Sequence, residues 1–338
     1  MRILITGAYG FLGRLLVEKL LRERSFDGEP ITRLVLADRV VLADLPQTAD
    51  PLVELAHGEL TDRLGEVFAR PVDVVFHLAA AVSAECERDF DLGMRSNVDT
   101  TRALLDAARA QSESGGPTAR VVFAGSLAVY GSQPGLPLPP VVSEATVPLP
   151  QTSYGTQKLV CEHLVADYTR RGFVDGRVVR LMTVAVRPGK PNAAASGFLS
   201  AIIREPLARL PTVCPVDPGL RVALASPRRT IRGIVRVAEA RRGTGPGHLE
   251  GRLPVNLPAL TVSVADMLAT LREVAGSAAD LVTVAPDPAI EAIVGSWPAA
   301  VDSTRAAALG LDPDPSFLSL VQDYLDDHPE AIVSPSDG

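Results

Sequence analysis

The sequence predicts an α/β fold in which a doubly wound parallel sheet is joined to a smaller C-terminal domain. A short apolar strand at residues 3–5 leads into three glycines and then into a helix with one apolar face. Continuous apolar strands then alternate with helical segments through residue 182, a pattern typical of a parallel sheet with helices on both faces. After residue 183, prolines and glycines become frequent and the strands become short, which indicates a second domain.

The first strand, the glycines and the first helix have the arrangement of a dinucleotide-binding loop. Gly7 permits the tight turn, Gly10 has no side chain to hold the backbone away from a pyrophosphate, and Gly13 lets the helix pack closely on the strand. The N–H groups at the start of the helix, at Phe11 and Leu12, attract phosphate charge. This combination predicts a domain of the Rossmann type that binds a dinucleotide.

The remaining elements follow from apolar runs and helical spacing. Further strands are predicted before Gly58 and at residues 32–38, 72–78, 120–124, 177–182 and 254–257. Helices are predicted at residues 97–110, 153–170, 197–204, 231–242, 263–275 and 315–327. We therefore predict a Rossmann domain at 1–182 to which 231–257 returns, a substrate-binding domain at 183–230 and 258–330, and a tail at 331–338.

The composition of the 338 residues, with 46% hydrophobic and 22% charged residues, is that of an ordinary globular protein. A net charge of −7 argues against binding to nucleic acid, which usually needs a basic patch. No apolar run approaches the roughly 20 residues of a membrane span. Five scattered histidines and three widely spaced cysteines indicate neither a metal site nor a disulfide framework. The first strand leaves no room for a signal peptide, so we expect a cytoplasmic protein with reduced thiols.

The end of the second predicted strand indicates which dinucleotide is bound. Asp38 stands there, 25 residues after Gly13. A carboxylate at this place accepts hydrogen bonds from the adenosine ribose hydroxyls and repels a 2′-phosphate, which favours NAD over NADP. Arg39 follows directly and could pair with such a phosphate, so the strictness of the preference is left open.

Two further strand ends are predicted to approach the cofactor. Glu59 and Leu60 follow the third strand, where an acid could meet the adenine amino group or lie in a solvated loop. The strand at 72–78 ends in residues whose small size lets the backbone pass near the cofactor, namely Leu78, Ala79 and Ala80. We interpret His77, in the same strand, as a core histidine.

Tyr154 and Lys158 are candidates for catalysis because their four-residue spacing puts both side chains on one face of a helix. A lysine ammonium near a phenol favours the phenolate, which could act as a general base. Such a pair is also common on solvated helices. Its position favours the catalytic interpretation, because Ser126 stands at the carboxyl end of the preceding strand and could donate to the same substrate oxygen.

These residues together resemble the extended short-chain dehydrogenase/reductase superfamily, which includes nucleotide-sugar epimerases and dehydratases. The resemblance is carried by the motifs TGAYGFLG, HLAAA, SLAVYG and YGTQK, and it covers the whole chain. It implies that Ser126 positions a substrate hydroxyl, that Tyr154 accepts its proton, and that Lys158 tunes the tyrosine and holds the nicotinamide ribose. It also implies that Asn97 supports the lysine through water and that two copies form a homodimer through two helices. Gly125 departs from the pattern, since a second serine is common there.

Residues 180–207 and the Ser-Pro-Arg segment at 226–228 resemble a group of NAD-dependent dehydrogenases that act on four-carbon sugar acids. This resemblance implies hydride transfer from a small hydroxy acid, with D-erythronate as the favoured substrate and a 2-oxo acid as the product. Candidates for binding the substrate carboxylate are Arg228, Asn192 and Arg187. Two alternatives stay open, namely a nucleotide-sugar 4-epimerase that uses the same three catalytic residues and a non-catalytic NAD-sensing protein.

Overall fold

In a computed structural model, which describes residues 1–40, 46–189 and 195–331, seven of the described strands form one parallel sheet. They are β1 (Arg2–Thr6), β2 (Arg33–Asp38), β3 (Val53–His57), β4 (Val74–His77), β5 (Arg120–Ser126), β6 (Asp175–Leu181) and β7 (Val255–Asn256). The spatial order is β3-β2-β1-β4-β5-β6-β7, and every neighbouring pair is parallel. This is the order of the predicted Rossmann-type sheet, and its direction of winding reverses between β1 and β4. Open α/β sheets bind ligands beyond the carboxyl ends of the strands at that point.

Helices separate the strands and cover the sheet. The described residues form α1 (Phe11–Glu23), α2 (Leu60–Val67), α3 (Ser83–Arg88), α4 (Phe90–Gly93), α5 (Thr100–Glu113), α6 (Ser153–Arg170), α7 (Phe198–Leu207), α8 (Pro227–Glu239), α9 (Val264–Ala275), α10 (Pro288–Val294), α11 (Thr304–Ala307) and α12 (Phe317–Asp327). Among these helices, none combines the length and the apolar character that crossing a bilayer requires.

Alternation along each strand divides the core of the sheet into two layers. Ile3 and Ile5 of β1 pack in a cluster that includes apolar residues of α1 and α8. Leu4, between them, packs on the opposite face with apolar residues of α2, α5 and α6. All three side chains are fully buried. Because both faces are covered here, the middle of β1 is a continuous apolar run, as the sequence pattern indicates.

A second apolar cluster lies beyond the carboxyl edge of β6. It is built from α7, α9 and α12 together with short strands, and its fully buried members include Leu199, Met267 and Leu320. The short strands are Thr183–Val184, Arg221–Ala225 and Leu260–Ser263, which form one sheet, and Thr212–Cys214 with Val282–Val284. Residues 306–311 instead pack in the first cluster, through Ala306, Leu309 and Leu311.

Two of the predicted helices have different bounds in the structure. The helix predicted at 231–242 begins at Pro227, because the Ser226 hydroxyl accepts from the Arg229 N–H and caps it. It ends at Glu239, since Arg241–Arg242 pairs with His248–Leu249 as a short strand. The helix predicted at 97–110 begins with a single π-helical turn, Met94–Asp99, before α5.

Candidate active site

A cavity of about 420 Å³ opens at the carboxyl ends of β1, β4 and β5, where the winding of the sheet reverses. Residues from the part of the chain after β6 also line it, among them Arg187, Arg221 and Trp297. Many predicted site residues line this one cavity: Gly7, Gly10, Phe11, Leu12, Gly13, Leu78, Ala80, Ser126, Tyr154 and Lys158. The chain therefore brings the predicted dinucleotide loop and the predicted catalytic residues to the same place.

The glycine loop owes its shape to close backbone packing. Gly7 has a φ of +67°, and a Cβ there would lie 2.8 Å from the Ala79 nitrogen, so only glycine fits without strain. At Gly13 a Cβ would collide with the Gly7 carbonyl oxygen, which explains how the helix approaches the strand so closely. Gly10 precedes α1 and offers no side chain to cap the helix. The amides at the start of α1 are thus available to an anion, which fits a pyrophosphate group.

Asp38 is fixed beside the glycine loop. Its Oδ2 accepts from the Tyr9 N–H at 2.9 Å, and its Oδ1 accepts from the Val40 N–H at 3.0 Å. Burial, and then the charge of Asp38, raise the pKa of the Tyr9 phenol. Arg39 lies 3.7 Å from the Glu59 carboxylate, with both side chains exposed. Arg39 therefore has a carboxylate of this chain as its neighbour.

Five predicted cofactor residues do not line the cavity, namely Asp38, Asn97, Glu59, Leu60 and Ala79. Glu59 is the residue before α2 and forms the exposed pair with Arg39, whereas Leu60 packs in the core under the sheet. The Ala79 N–H donates to the Thr6 hydroxyl at 3.2 Å. Their direct contact with a cofactor stays a prediction.

We expect Asp38→Ser to weaken discrimination against NADP. The substitution removes the negative charge that repels a 2′-phosphate. It also removes the hydrogen bonds from the ribose hydroxyls of NAD to a charged acceptor, which contribute about 1.5–3 kcal/mol. The ratio of kcat/KM for NAD to that for NADP should fall at least about tenfold in steady-state assays. Asp62→Ser, an exposed acid in the first turn of α2, is the control and should leave the ratio unchanged. An unaltered ratio in Asp38→Ser would contradict the role assigned to Asp38.

The start of α6 holds Tyr154 next to the turn that follows Ser126. The Thr152 hydroxyl accepts from the Gly155 N–H at 3.0 Å and caps the helix. A Cβ at Gly155 would collide with the Ala128 carbonyl oxygen, so α6 packs directly on the turn after β5. The Ser126 hydroxyl accepts from the Ala128 N–H at 3.1 Å. Two segments that are distant in sequence thus place Ser126 and Tyr154 in one cavity.

Lys158 lies one turn further along α6 and is buried, with 3% of its surface exposed. Its Nζ donates to the Ala124 carbonyl at 2.9 Å. The same Nζ lies 5.6 Å from the centre of the Tyr154 ring and 4.8 Å from that of Phe123. A buried ammonium is thereby held beside the phenol.

The side chain of Asn97 forms hydrogen bonds with Ala81 and Gln157. Its Oδ1 accepts from the Ala81 N–H at 2.8 Å, and its Nδ2 donates to the Gln157 Oε1 at 2.7 Å. Ala81 lines the cavity, and Gln157 precedes Lys158 on α6. Asn97 therefore connects the segment after β4 to the catalytic helix. Its support of the lysine through water stays a prediction.

His77 is buried between two threonines. Its Nδ1 hydrogen-bonds to the Thr6 hydroxyl at 2.7 Å and its Nε2 to the Thr101 hydroxyl at 3.0 Å. Burial, with a smaller effect of the Lys158 charge, lowers the pKa of His77 to about 3. The ring is therefore neutral near neutral pH, as expected for a core histidine.

We expect His77 to make the protein acid-sensitive. Because its folded pKa of about 3 lies below the ordinary 6.5, its contribution to stability is complete above pH 6.5 and is lost as the pH falls toward 3. Between about pH 7.5 and 5.5 the free energy of unfolding should fall by about 1.4 kcal/mol from this group. Urea unfolding at both pH values measures this change in the wild type and in His77→Asn, which lacks the titrating imidazole. Equal pH dependence in the two proteins would contradict it.

The structure does not bring the predicted substrate residue Arg228 to the cavity. Its guanidinium forms exposed ion pairs with Asp323 at 2.6 Å and Asp327 at 2.7 Å. Since carboxylates of α12 already neutralise it on the outer surface, Arg228 is corrected to a surface residue. Asn192 lies outside the described residues. Arg187 does line the cavity, and so does Trp297, which reasoning from sequence missed because no local motif marks it.

Comparisons with known proteins find a matching family, similar sequences and a similar solved structure. A model of the NAD dependent epimerase/dehydratase family matches residues 3–220. D-erythronate dehydrogenase from Cupriavidus necator is 47% identical over 97% of this chain and 98% of that protein. D-erythronate dehydrogenase from Haemophilus influenzae is 38% identical over 96% of this chain and 99% of that protein. A crystal structure of a nucleoside-diphosphate-sugar epimerase from Agrobacterium tumefaciens superimposes with a TM-score of 0.88 at 39% identity, covering 98% of this chain and 95% of that one.

Proposed function

The chain belongs to the NAD-dependent epimerase/dehydratase family, and we propose that it is a dehydrogenase that oxidises D-erythronate to 2-oxo-tetronate with NAD. The observation that carries the proposal is the position of Ser126, Tyr154 and Lys158 in the cavity that the glycine loop also lines. Similarity over nearly the full length to two D-erythronate dehydrogenases supports the choice of substrate.

The residues present fit NAD. The uncapped start of α1 after Gly10 suits the pyrophosphate, Asp38 suits the adenosine ribose, and Lys158 suits the nicotinamide ribose. When bound, NAD accepts a hydride from the substrate carbon. The chain's own task is to orient the reacting hydroxyl and to take up its proton.

In this proposal Tyr154 removes the proton of the C2 hydroxyl while Ser126 holds the same oxygen. The buried Lys158 side chain is the neighbour of this tyrosine, with its nitrogen 5.6 Å from the ring centre. As the C2–H bond breaks, its electron pair leaves as hydride and the C2–O bond becomes a carbonyl. D-erythronate and NAD thus give 2-oxo-tetronate, NADH and one proton.

A nucleotide-sugar 4-epimerase is the second candidate, favoured by the Agrobacterium structure with 39% identity. Residues 181–189 read Leu-Met-Thr-Val-Ala-Val-Arg-Pro-Gly and lack the Asn-x-Tyr-Gly-Pro pattern expected of many such enzymes. The chain therefore departs from the epimerases in a segment that lines the cavity.

An assay of purified protein with NAD and a panel of aldonic acids tests the proposal. We expect NADH to accumulate with D-erythronate and UDP-sugars to be left unchanged. Interconversion of UDP-sugars without NADH from any aldonic acid would favour the epimerase. Binding of NAD without any turnover would favour the NAD-sensing alternative. The homodimer and the cytoplasmic location stay predictions.

A further inference from the structure

Arg187 brings a positive charge into the catalytic cavity. It lies three residues after the short strand Thr183–Val184 and lines the same cavity as Ser126 and Tyr154. It is partly buried, and it interacts electrostatically with the Tyr154 phenol. An anion bound by Arg187 would therefore share the cavity with the residue that takes the substrate proton.

The position of Arg187 is fixed by the residues around it. Its Nε donates to the Val184 carbonyl at 2.9 Å, which orients the guanidinium. Its own N–H donates to the hydroxyl of Ser200, a buried residue of α7, at 3.0 Å. Arg204, one turn further on α7, donates from Nη1 to the Arg187 carbonyl at 2.7 Å. The cation is thus held in advance of any ligand.

The charge of Arg187 lacks a counter-ion within the described part of the chain. No ion pair between described residues includes Arg187, and no hydrogen bond between them uses its Nη1 or Nη2. Burial lowers the pKa of its guanidinium, because a buried charge loses part of its hydration. An anionic ligand would compensate for that loss, and the two Nη groups can hold a carboxylate in a bidentate manner.

The other arginines near the site suit this role less well. Arg228 is paired with two carboxylates outside the cavity. Arg221 lines the cavity but is exposed, so its charge keeps its hydration. Arg187 therefore combines burial, a fixed backbone and freedom from a described carboxylate.

We propose that Arg187 binds the substrate carboxylate and so selects acids whose reacting hydroxyl is on the adjacent carbon. The inference rests on the proposed function and extends it from one acid to a class, the 2-hydroxy acids. With the carboxylate on Arg187, the neighbouring C2 hydroxyl lies toward Tyr154 and Ser126. A nucleotide sugar suits this arrangement poorly, because its diphosphate is several atoms from the carbon that an epimerase oxidises.

Comparison of an acid with its neutral amide tests Arg187 directly. We expect Arg187→Met to lower kcat/KM for D-erythronate about 100-fold or more, mainly through KM, since a charge-assisted bidentate contact is lost. The same variant should have little effect on the slower oxidation of D-erythronamide, which carries no charge. Arg187→Lys should recover part of the activity toward the acid, and Arg228→Met should behave like the wild type.

Equal losses for the acid and the amide would overturn the proposal, because they would indicate a structural role for Arg187. An unchanged KM for D-erythronate in Arg187→Met would also overturn it. If the wild type oxidises a different 2-hydroxy acid, the proposed substrate is wrong, and the same comparison on that acid and its amide decides the role of Arg187. Interconversion of UDP-sugars with no acid oxidised would overturn both proposals.

Discussion

Tyr154→Phe is expected to lower kcat for D-erythronate oxidation by about 10²–10⁴-fold, the usual contribution of a positioned general base. The substitution removes only the phenolic oxygen, while the ring, the Thr152 cap and the Lys158 contact to Ala124 can all be kept. Because the glycine loop is untouched, affinity for NAD should change little. Stopped assays of NADH formation and calorimetric titration with NAD measure the two quantities.

The same helix supplies a matched control for this variant. Tyr168 also lies on α6, and its hydroxyl donates a 2.6 Å hydrogen bond to Asp106. Neither of these two residues lines the cavity. Tyr168→Phe removes the same atom from the same residue type and should keep kcat near the wild-type value. Full activity in Tyr154→Phe would mean that another group accepts the proton.

Arg180→Met is expected to lower the free energy of unfolding by about 3–5 kcal/mol, because it leaves the Glu162 carboxylate buried without its partner. The two side chains are 5% and 3% exposed, and Arg180 Nη2 lies 2.7 Å from Glu162 Oε2. Arg180 Nη1 also donates to the Tyr130 hydroxyl at 2.6 Å. The pair therefore joins β6, α6 and the loop after β5 beneath the active site.

The pH dependence and a double variant distinguish this explanation from loss of packing. Burial raises the pKa of Glu162, so the protein is destabilised most at pH values where the unpaired carboxylate is charged. The loss of unfolding free energy in Arg180→Met should therefore become smaller as the pH falls and the carboxylate is protonated. The double variant Arg180→Met with Glu162→Met removes both charges and should be more stable than Arg180→Met alone. Urea unfolding measures the free energy of unfolding of the wild type, the single variant and the double variant. A loss of unfolding free energy below about 1 kcal/mol in Arg180→Met would contradict the role of the buried pair.

Local patterns account for the parts of the site that could be predicted. Tyr154 and Lys158 are four residues apart on one helix, so their shared face follows from helical geometry alone. The glycine loop and Ser126 lie at strand ends, and the carboxyl ends of parallel strands meet at one edge of the sheet. The buried strands could be located along the sequence from apolar runs, because a parallel strand that is covered on both faces is rich in apolar residues.

Tertiary contacts decide what could not be predicted. Arg228 finds its acidic partners 95 and 99 residues later, and no local signal reveals them. The glycine at 125, where a second serine is common, is explained by the buried pair. A Cβ at Gly125 would lie 2.6 Å from Glu162 Oε1, so the carboxylate fills the space of the missing side chain.

The central claim is that this chain transfers a hydride from C2 of D-erythronate to NAD. Incubation with D-erythronate deuterated at C2, followed by mass spectrometry of the cofactor and the acid, tests it most directly. We predict NADH that carries one deuterium, together with 2-oxo-tetronate. Unlabelled NADH would place the oxidation at another carbon, and the absence of any reduced cofactor would contradict the claim.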